Sequence, residues 1–237
     1  MPEIIEIHGA VYDHLSKGHD RLFIDRNRLI AGVFDGAGGN ELSADVVNEL
    51  PTIIANNDSI RETSQELFML RVLMAANNLP GALFRTSTVA IASVSEVGPN
   101  HHITYANLGD SSIYFYNHYE NNFSRIAHTP TSFVKYPGGK LYIDTHEFLG
   151  NHIDDEKLKP LIGKLIVPRT TEWTLVGFSD GVQDDNGKGI DAANLKEIIQ
   201  TVSPSEVPDT VLDSIIMYDD ASIFTISHVT SEKPNLQ

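Results

Sequence analysis

The chain predicts an α+β sandwich. Helical segments fall in groups on either side of runs of short strands, and the strand connections are too tight for parallel crossovers. Four aspartate-bearing turns also stand at the edges of apolar, strand-like runs. At 237 residues the sequence is long enough for one sizeable core, and it reads as a single domain over 1–237.

The elements follow in order. Ile30 to Phe34 is an apolar run that stops at Asp35 and the glycines Gly36, Gly38 and Gly39, the pattern of a strand ending in a tight turn. From Leu42 to Ile54, Val46, Val47, Leu50, Ile53 and Ile54 recur at helical spacing, with Pro51 set to kink the segment. A second helix is marked by a capping box at Ser59 and Glu62, presents Ile60, Leu67, Leu70 and Met74 on one face, and stops at Leu79-Pro80-Gly81. The period then changes to that of strands: Thr88 to Val94, His102 to Leu108, Ile113 to Tyr116 and Phe123 to Ala127, joined by short polar turns.

Thr129 to Lys164 lacks periodicity and is expected to be an irregular flap or loop (about 129–164). Trp173 to Phe178 is a strand. Asp191 caps a helix bearing Leu195, Ile198, Ile199 and Val202, and another helix spans about Glu206 to Met217 with Val211, Leu212, Ile215 and Ile216. Ser222 to Ser227 is the last strand, and the tail 231–237 is expected to be disordered.

Composition excludes several function classes. There are 32 acidic against 17 basic residues, a formal charge of −15, so nucleic acid is not an expected partner. With no cysteine, disulfides, iron–sulfur clusters and thiolate zinc sites are impossible. No basic leader precedes an apolar stretch at Met1 to Glu6 and no run of 18 apolar residues occurs, so the expectation is a cytoplasmic monomer without a membrane partner.

The four turns carry the chemistry. They are Phe34-Asp35-Gly36-Ala37-Gly38-Gly39, Asn107-Leu108-Gly109-Asp110-Ser111, Phe178-Ser179-Asp180-Gly181-Val182-Gln183-Asp184 and Tyr218-Asp219-Asp220-Ala221-Ser222. Magnesium and manganese take oxygen ligands from one or two carboxylates per ion. Two such ions bridged by a carboxylate activate a shared water and clamp a phosphoryl group in line. Asp35 before Gly36 suits the bridging role, because glycine lets its carbonyl turn towards a cation. One Asp-Gly or Asp-Asp alone is more often a turn or a cap.

In order and spacing these motifs resemble those of the metal-dependent, protein phosphatase 2C-like serine/threonine phosphatases, from near Gly18-His19-Asp20 to near Ser227. The resemblance implies a four-layer α-β-β-α sandwich, two antiparallel sheets flanked by helix pairs. It implies that Asp35 bridges two Mg²⁺ or Mn²⁺ ions, that Gly36 gives its carbonyl to one, and that Asp180 and Asp219 complete the other. Asp110, Asp180 and Asp184 match the ligands of a weaker third ion, and Asp20 matches the aspartate that orients the attacking water. The implied activity is hydrolysis of phosphoserine or phosphothreonine in a phosphoprotein by a metal-held hydroxide, with no phosphoenzyme.

Three departures stand out. Leu15 occupies the place of the family's phosphate-gripping arginine, with Lys17 nearby as a weaker substitute; His19 replaces an acidic residue; Ala37 replaces a histidine proposed as general acid. Leu15 and His19 favour an alternative, a pseudophosphatase that binds a partner without turnover, and the lost arginine also leaves room for small phosphate esters as substrates. His101-His102 reads as ordinary strand residues, because neighbours on a strand face opposite ways.

Overall fold

The computed structural model describes residues 3–13, 20–36, 49, 52–54, 64–77, 87–127, 132–135, 141–144, 162–182, 189–216 and 219–230. Its strands are β1 (Glu3–Tyr12), β2 (Asp20–Asp25), β3 (Ile30–Asp35), β4 (Val89–Val97), β5 (Asn100–Leu108), β6 (Ser112–Asn117), β7 (Asn122–Ala127), β8 (Ser132–Lys135), β9 (Leu141–Asp144), β10 (Ile162–Pro168), β11 (Trp173–Phe178) and β12 (Ala221–Thr230). The helices are α1 (Gln65–Asn77), α2 (Ala192–Thr201) and α3 (Val207–Ser214).

One five-stranded sheet runs β1-β12-β11-β6-β7 and the other β10-β5-β4-β3-β2, all in antiparallel pairs, with β8 and β9 forming a separate hairpin. Three apolar layers fill the spaces. Ala31, Val33, Ala90, Ala92, Ile103, Trp173, Leu175, Phe224 and Ile226 pack between the sheets. Phe68, Met69, Val72 and Leu73 of α1 pack with Ile30, Phe34 and Ile91 on the outer face of the second sheet. Leu195 and Ile199 of α2 and Val207, Val211 and Leu212 of α3 cover the outer face of the first, against Tyr114, Val176 and Phe178. The architecture is therefore the expected helix–sheet–sheet–helix sandwich. Each large apolar side chain enclosed this way contributes about 1.5–3 kcal/mol.

Local causes are visible at the helix starts. The Asp191 side chain accepts the Asn194 amide at the head of α2, as expected. α1 starts at Ser64, whose hydroxyl accepts the Leu67 amide at 3.3 Å; the anticipated capping box at Ser59 and Glu62 lies outside the described residues. The buried face of α1 is shifted from the expected one: Phe68, Met69, Val72 and Leu73 are enclosed, the expected Leu70 and Met74 pack at its edge, and Leu67 is 38 % exposed. The reason is that Leu67-Phe68-Met69-Leu70 is apolar all round, so spacing alone does not choose a face. α3 stops at Ser214, three residues short of the expected end, because Ile215 is already extended, and Ile216 is 70 % exposed. β8, β9 and the start of β10 fall within the segment expected to be irregular. Most of the 42–54 helix lies outside the described residues, apart from helical 52–54.

Candidate functional site

Strand alternation turns the apolar inter-sheet layer polar at one end. In β3, Ala31 and Val33 face the opposing sheet, and Asp35 is the next residue of that set. In β2 the set is Leu22 and Ile24, preceded by Asp20; in β12 it is Phe224 and Ile226, preceded by Ser222; in β11 it is Trp173 and Leu175, which leads on to Ser179 just past the strand. Register places Asp20 directly opposite Asp35 across the β2–β3 pair. Like charges in that position repel, so the pair needs a proton or a cation.

The turns add two more carboxylates. Asp110 follows β5 and Asp180 follows β11, and the carboxylate oxygens of Asp35, Asp110 and Asp180 lie within 4.8 Å of one another. Backbone geometry fixes these turns. Gly109 has φ +86°, where a side chain is strained, and a Cβ there would sit 2.7 Å from Thr88 Cγ2. At Gly181 a Cβ would strike the Asp220 carbonyl oxygen, so the third and fourth turns meet only because that residue is glycine. The Thr88 amide donates to the Asp35 carbonyl at 2.8 Å, and the Thr88 and Ser111 hydroxyls are hydrogen-bonded at 2.7 Å.

Electrostatics follow from this crowding. Burial, then the charges of Asp20, Asp180 and Asp110, push Asp35 well above the usual carboxylate range. Loss of water raises Asp180 to about 7, with the Asp110, Asp20 and Asp219 charges adding to it. Burial likewise raises Asp110. Asp20, 2 % exposed, rises to about 6, mainly through burial, against the lowering effect of hydrogen bonds from Ser179 and Ser222. Asp20 Oδ1 and Asp110 Oδ1 are buried without a hydrogen-bond partner among the described residues. Bare buried oxygens among crowded carboxylates, with no sulfur nearby, fit a hard divalent cation.

Of the residues singled out from sequence, Asp35, Asp110 and Asp180 come together, with Asp20 beside them. Gly36 bridges to Ser87 at the edge of the cluster. Asp219 stands apart from the three-carboxylate group: it is exposed, accepts the Asp220 amide at 2.9 Å, and is close enough for its charge to act on Asp180. Leu15, Lys17, His19, Ala37 and Asp184 lie outside the described residues. Sequence reasoning missed Ser179 and Ser222, both fully buried, whose hydroxyls donate to Asp20 Oδ2 at 2.6 and 2.8 Å. The available signal was their place beside aspartates at two strand ends.

At the other end of the inter-sheet layer, the Trp173 indole donates to His101 Nδ1 at 3.2 Å, and the His101 ring meets that of His228 edge-on at 4.5 Å. His101 is therefore a buried residue of β5 whose ring packs in the core between Trp173 and His228.

The two stacked antiparallel sheets, their flanking helices and the acidic cluster between the sheet ends define the fold of the metal-dependent, protein phosphatase 2C-like phosphatases. Similar solved structures include the catalytic domain of the serine/threonine protein phosphatase PstP in complex with two manganese ions (TM-score 0.71, 12 % identity, 97 % of this chain and 100 % of that one). Another is PppA, a key regulatory component of T6SS in Pseudomonas aeruginosa (TM-score 0.67, 14 % identity, 96 % and 100 %). RsbX in complex with magnesium is a third (TM-score 0.64, 13 % identity, 95 % and 96 %). At these identities the likeness is one of fold. No protein-family profile and no curated protein sequence matches the chain. No helix among the described residues is long and apolar enough to cross a membrane.

Proposed function

We propose that this chain is a metal-dependent phosphatase that hydrolyses phosphoserine and phosphothreonine monoesters in proteins. The observation that carries this reading is the meeting of Asp35, Asp110 and Asp180 at the end of the inter-sheet layer, beside a buried Asp20 with one bare oxygen. Asp35 and the Gly36 carbonyl, with Asp180 and Asp219, would hold two Mg²⁺ or Mn²⁺ ions, and Asp110 with Asp184 a third. Bound there, such cations supply an acidified water and charge stabilisation for the phosphoryl oxygens.

The chain's own residues do the rest. Asp20 Oδ1 accepts a hydrogen bond from the attacking water and orients its lone pair towards phosphorus. As the new P–O bond forms, the bond from phosphorus to the seryl or threonyl oxygen breaks, and that oxygen leaves as the free hydroxyl with a proton taken from solvent water, while the attacking water gives up one of its own to solvent. Ala37 cannot supply that proton, and with no cysteine in the chain a thiolate nucleophile is excluded. Lys17 supplies a point charge for the substrate phosphate where a forked guanidinium is absent.

The test is Mn²⁺-dependent phosphate release from a phosphopeptide and from p-nitrophenyl phosphate, run beside Asp35→Asn. Release by the wild type alone supports the reading, and no release above the variant at any Mn²⁺ concentration overturns it. A second reading, a partner-binding module without turnover, is favoured by Leu15 and His19. It predicts Mn²⁺ binding with no release.

A further inference from the structure

Asp20 opens β2 in one sheet, yet two hydroxyls of the other sheet donate to its side chain. The Ser179 hydroxyl, just past β11, and the Ser222 hydroxyl, near the start of β12, donate to the same oxygen, Oδ2, at 2.6 and 2.8 Å. The serines also hold each other. The Ser179 amide donates to the Ser222 carbonyl at 3.0 Å, and the Ser222 amide donates to Ser179 Oγ at 3.0 Å. An ionised carboxylate only accepts, so the Ser179 hydroxyl is the donor to Asp20 while its oxygen accepts the Ser222 amide. All three side chains are buried, at 2 % exposure or less.

The two oxygens of Asp20 are thus treated unequally. Oδ2 is satisfied twice, while Oδ1 is buried with no hydrogen-bond partner among the described residues. The clamp also spans the gap between the two ligand-bearing sheets, since Asp180 follows Ser179 directly and Asp35 lies opposite Asp20. Holding Asp20 therefore sets the separation of the carboxylates on either side.

We propose that Ser179 and Ser222 are positioning residues: they tie Oδ2 of Asp20 across the inter-sheet gap, so that Oδ1 stays turned to the aspartate cluster to accept from the attacking water. This rests on the reading of the cluster as a phosphatase metal centre. Residues that orient the groups around a metal typically govern its affinity and turnover by about 10- to 100-fold.

The test is a cycle of Ser179→Ala and Ser222→Ala, singly and together, in the wild-type and Asp20→Asn backgrounds. Mn²⁺ affinity is read by EPR, and kcat and KM with a phosphopeptide. In the wild-type background each alanine should weaken Mn²⁺ binding about tenfold and lower kcat about tenfold with KM unchanged, while Ser222→Thr, which keeps the hydroxyl, restores both. In the Asp20→Asn background the alanines should change neither. Wild-type values in the alanine variants, or equal losses in both backgrounds, overturn the proposal. Reading the variants singly keeps the test intact if the double variant fails to fold. If the wild type releases no phosphate, the phosphatase reading fails on its own, and the Mn²⁺ cycle still decides the clamp.

Discussion

Without metal, the aspartate cluster should make the protein less stable as pH rises through neutrality, the reverse of what a paired carboxylate does. An unfolded aspartate titrates at 3.8, whereas folded Asp20 titrates at about 6, so in between the folded state holds more protons than the unfolded one. Its stabilisation is complete below 3.8 and is lost as pH rises through about 6. That rise corresponds to about 3 kcal/mol in all. Roughly half of it is lost between about pH 5 and about pH 8. For a chain of this size that loss lowers Tm by about 3–6 °C, and Asp35 and Asp180, also raised, add to the fall in the same direction.

Two other groups act differently. At Asp25, burial works to raise the pKa, but the Arg28 hydrogen bonds and charge outweigh it and hold the group below its ordinary value, so its contribution is already complete above 3.8. Burial lowers His118 below 6.5, so that residue gains stability as pH rises through the same window. The measurement is therefore a difference: calorimetric Tm from about pH 5 to about pH 8, in chelator and in excess Mn²⁺, for the wild type and Asp35→Asn. The wild type should lose more than the variant in chelator, and Mn²⁺ should abolish the difference. A wild-type Tm that rises with pH as steeply as the variant's, in chelator, refutes the reasoning.

Other expectations follow from the same geometry. Asp35→Asn should raise the chelator Tm above about pH 7 by removing a crowded charge, and should remove the Mn²⁺-induced Tm gain, both visible by scanning fluorimetry. Gly109→Ala, forced to a positive φ against Thr88, should cost about 1–3 kcal/mol in denaturant unfolding and weaken Mn²⁺ binding through displacement of Asp110. Trp173→Phe, at the far end of the inter-sheet layer, should cost about 1–3 kcal/mol by leaving His101 Nδ1 without its donor, yet leave Mn²⁺ affinity unchanged.

The sandwich and its acidic end were legible because strand alternation and strand ends are written locally: Ala31-x-Val33-x-Asp35 states both a face and where that face turns polar. The buried side of α1 was not, since Phe68 to Leu70 offers apolar groups in every direction and only the sheet beneath selects among them. β1 was missed because His8 and Gly9 interrupt its alternation, and β10 because a short strand ending in Pro168 resembles a loop. The serine clamp joins positions 159 and 202 residues apart, a meeting created by inter-sheet packing that no local pattern encodes. Asp219 lies outside the three-carboxylate group, yet its charge acts on Asp180.

Mn²⁺ binding followed by EPR shows whether the inter-sheet aspartate cluster is a divalent-cation centre. About two ions per chain should bind to the wild type, and Asp35→Asn should lose that binding while remaining folded. Equal Mn²⁺ binding by wild type and variant, or none by either at millimolar concentration, would contradict it.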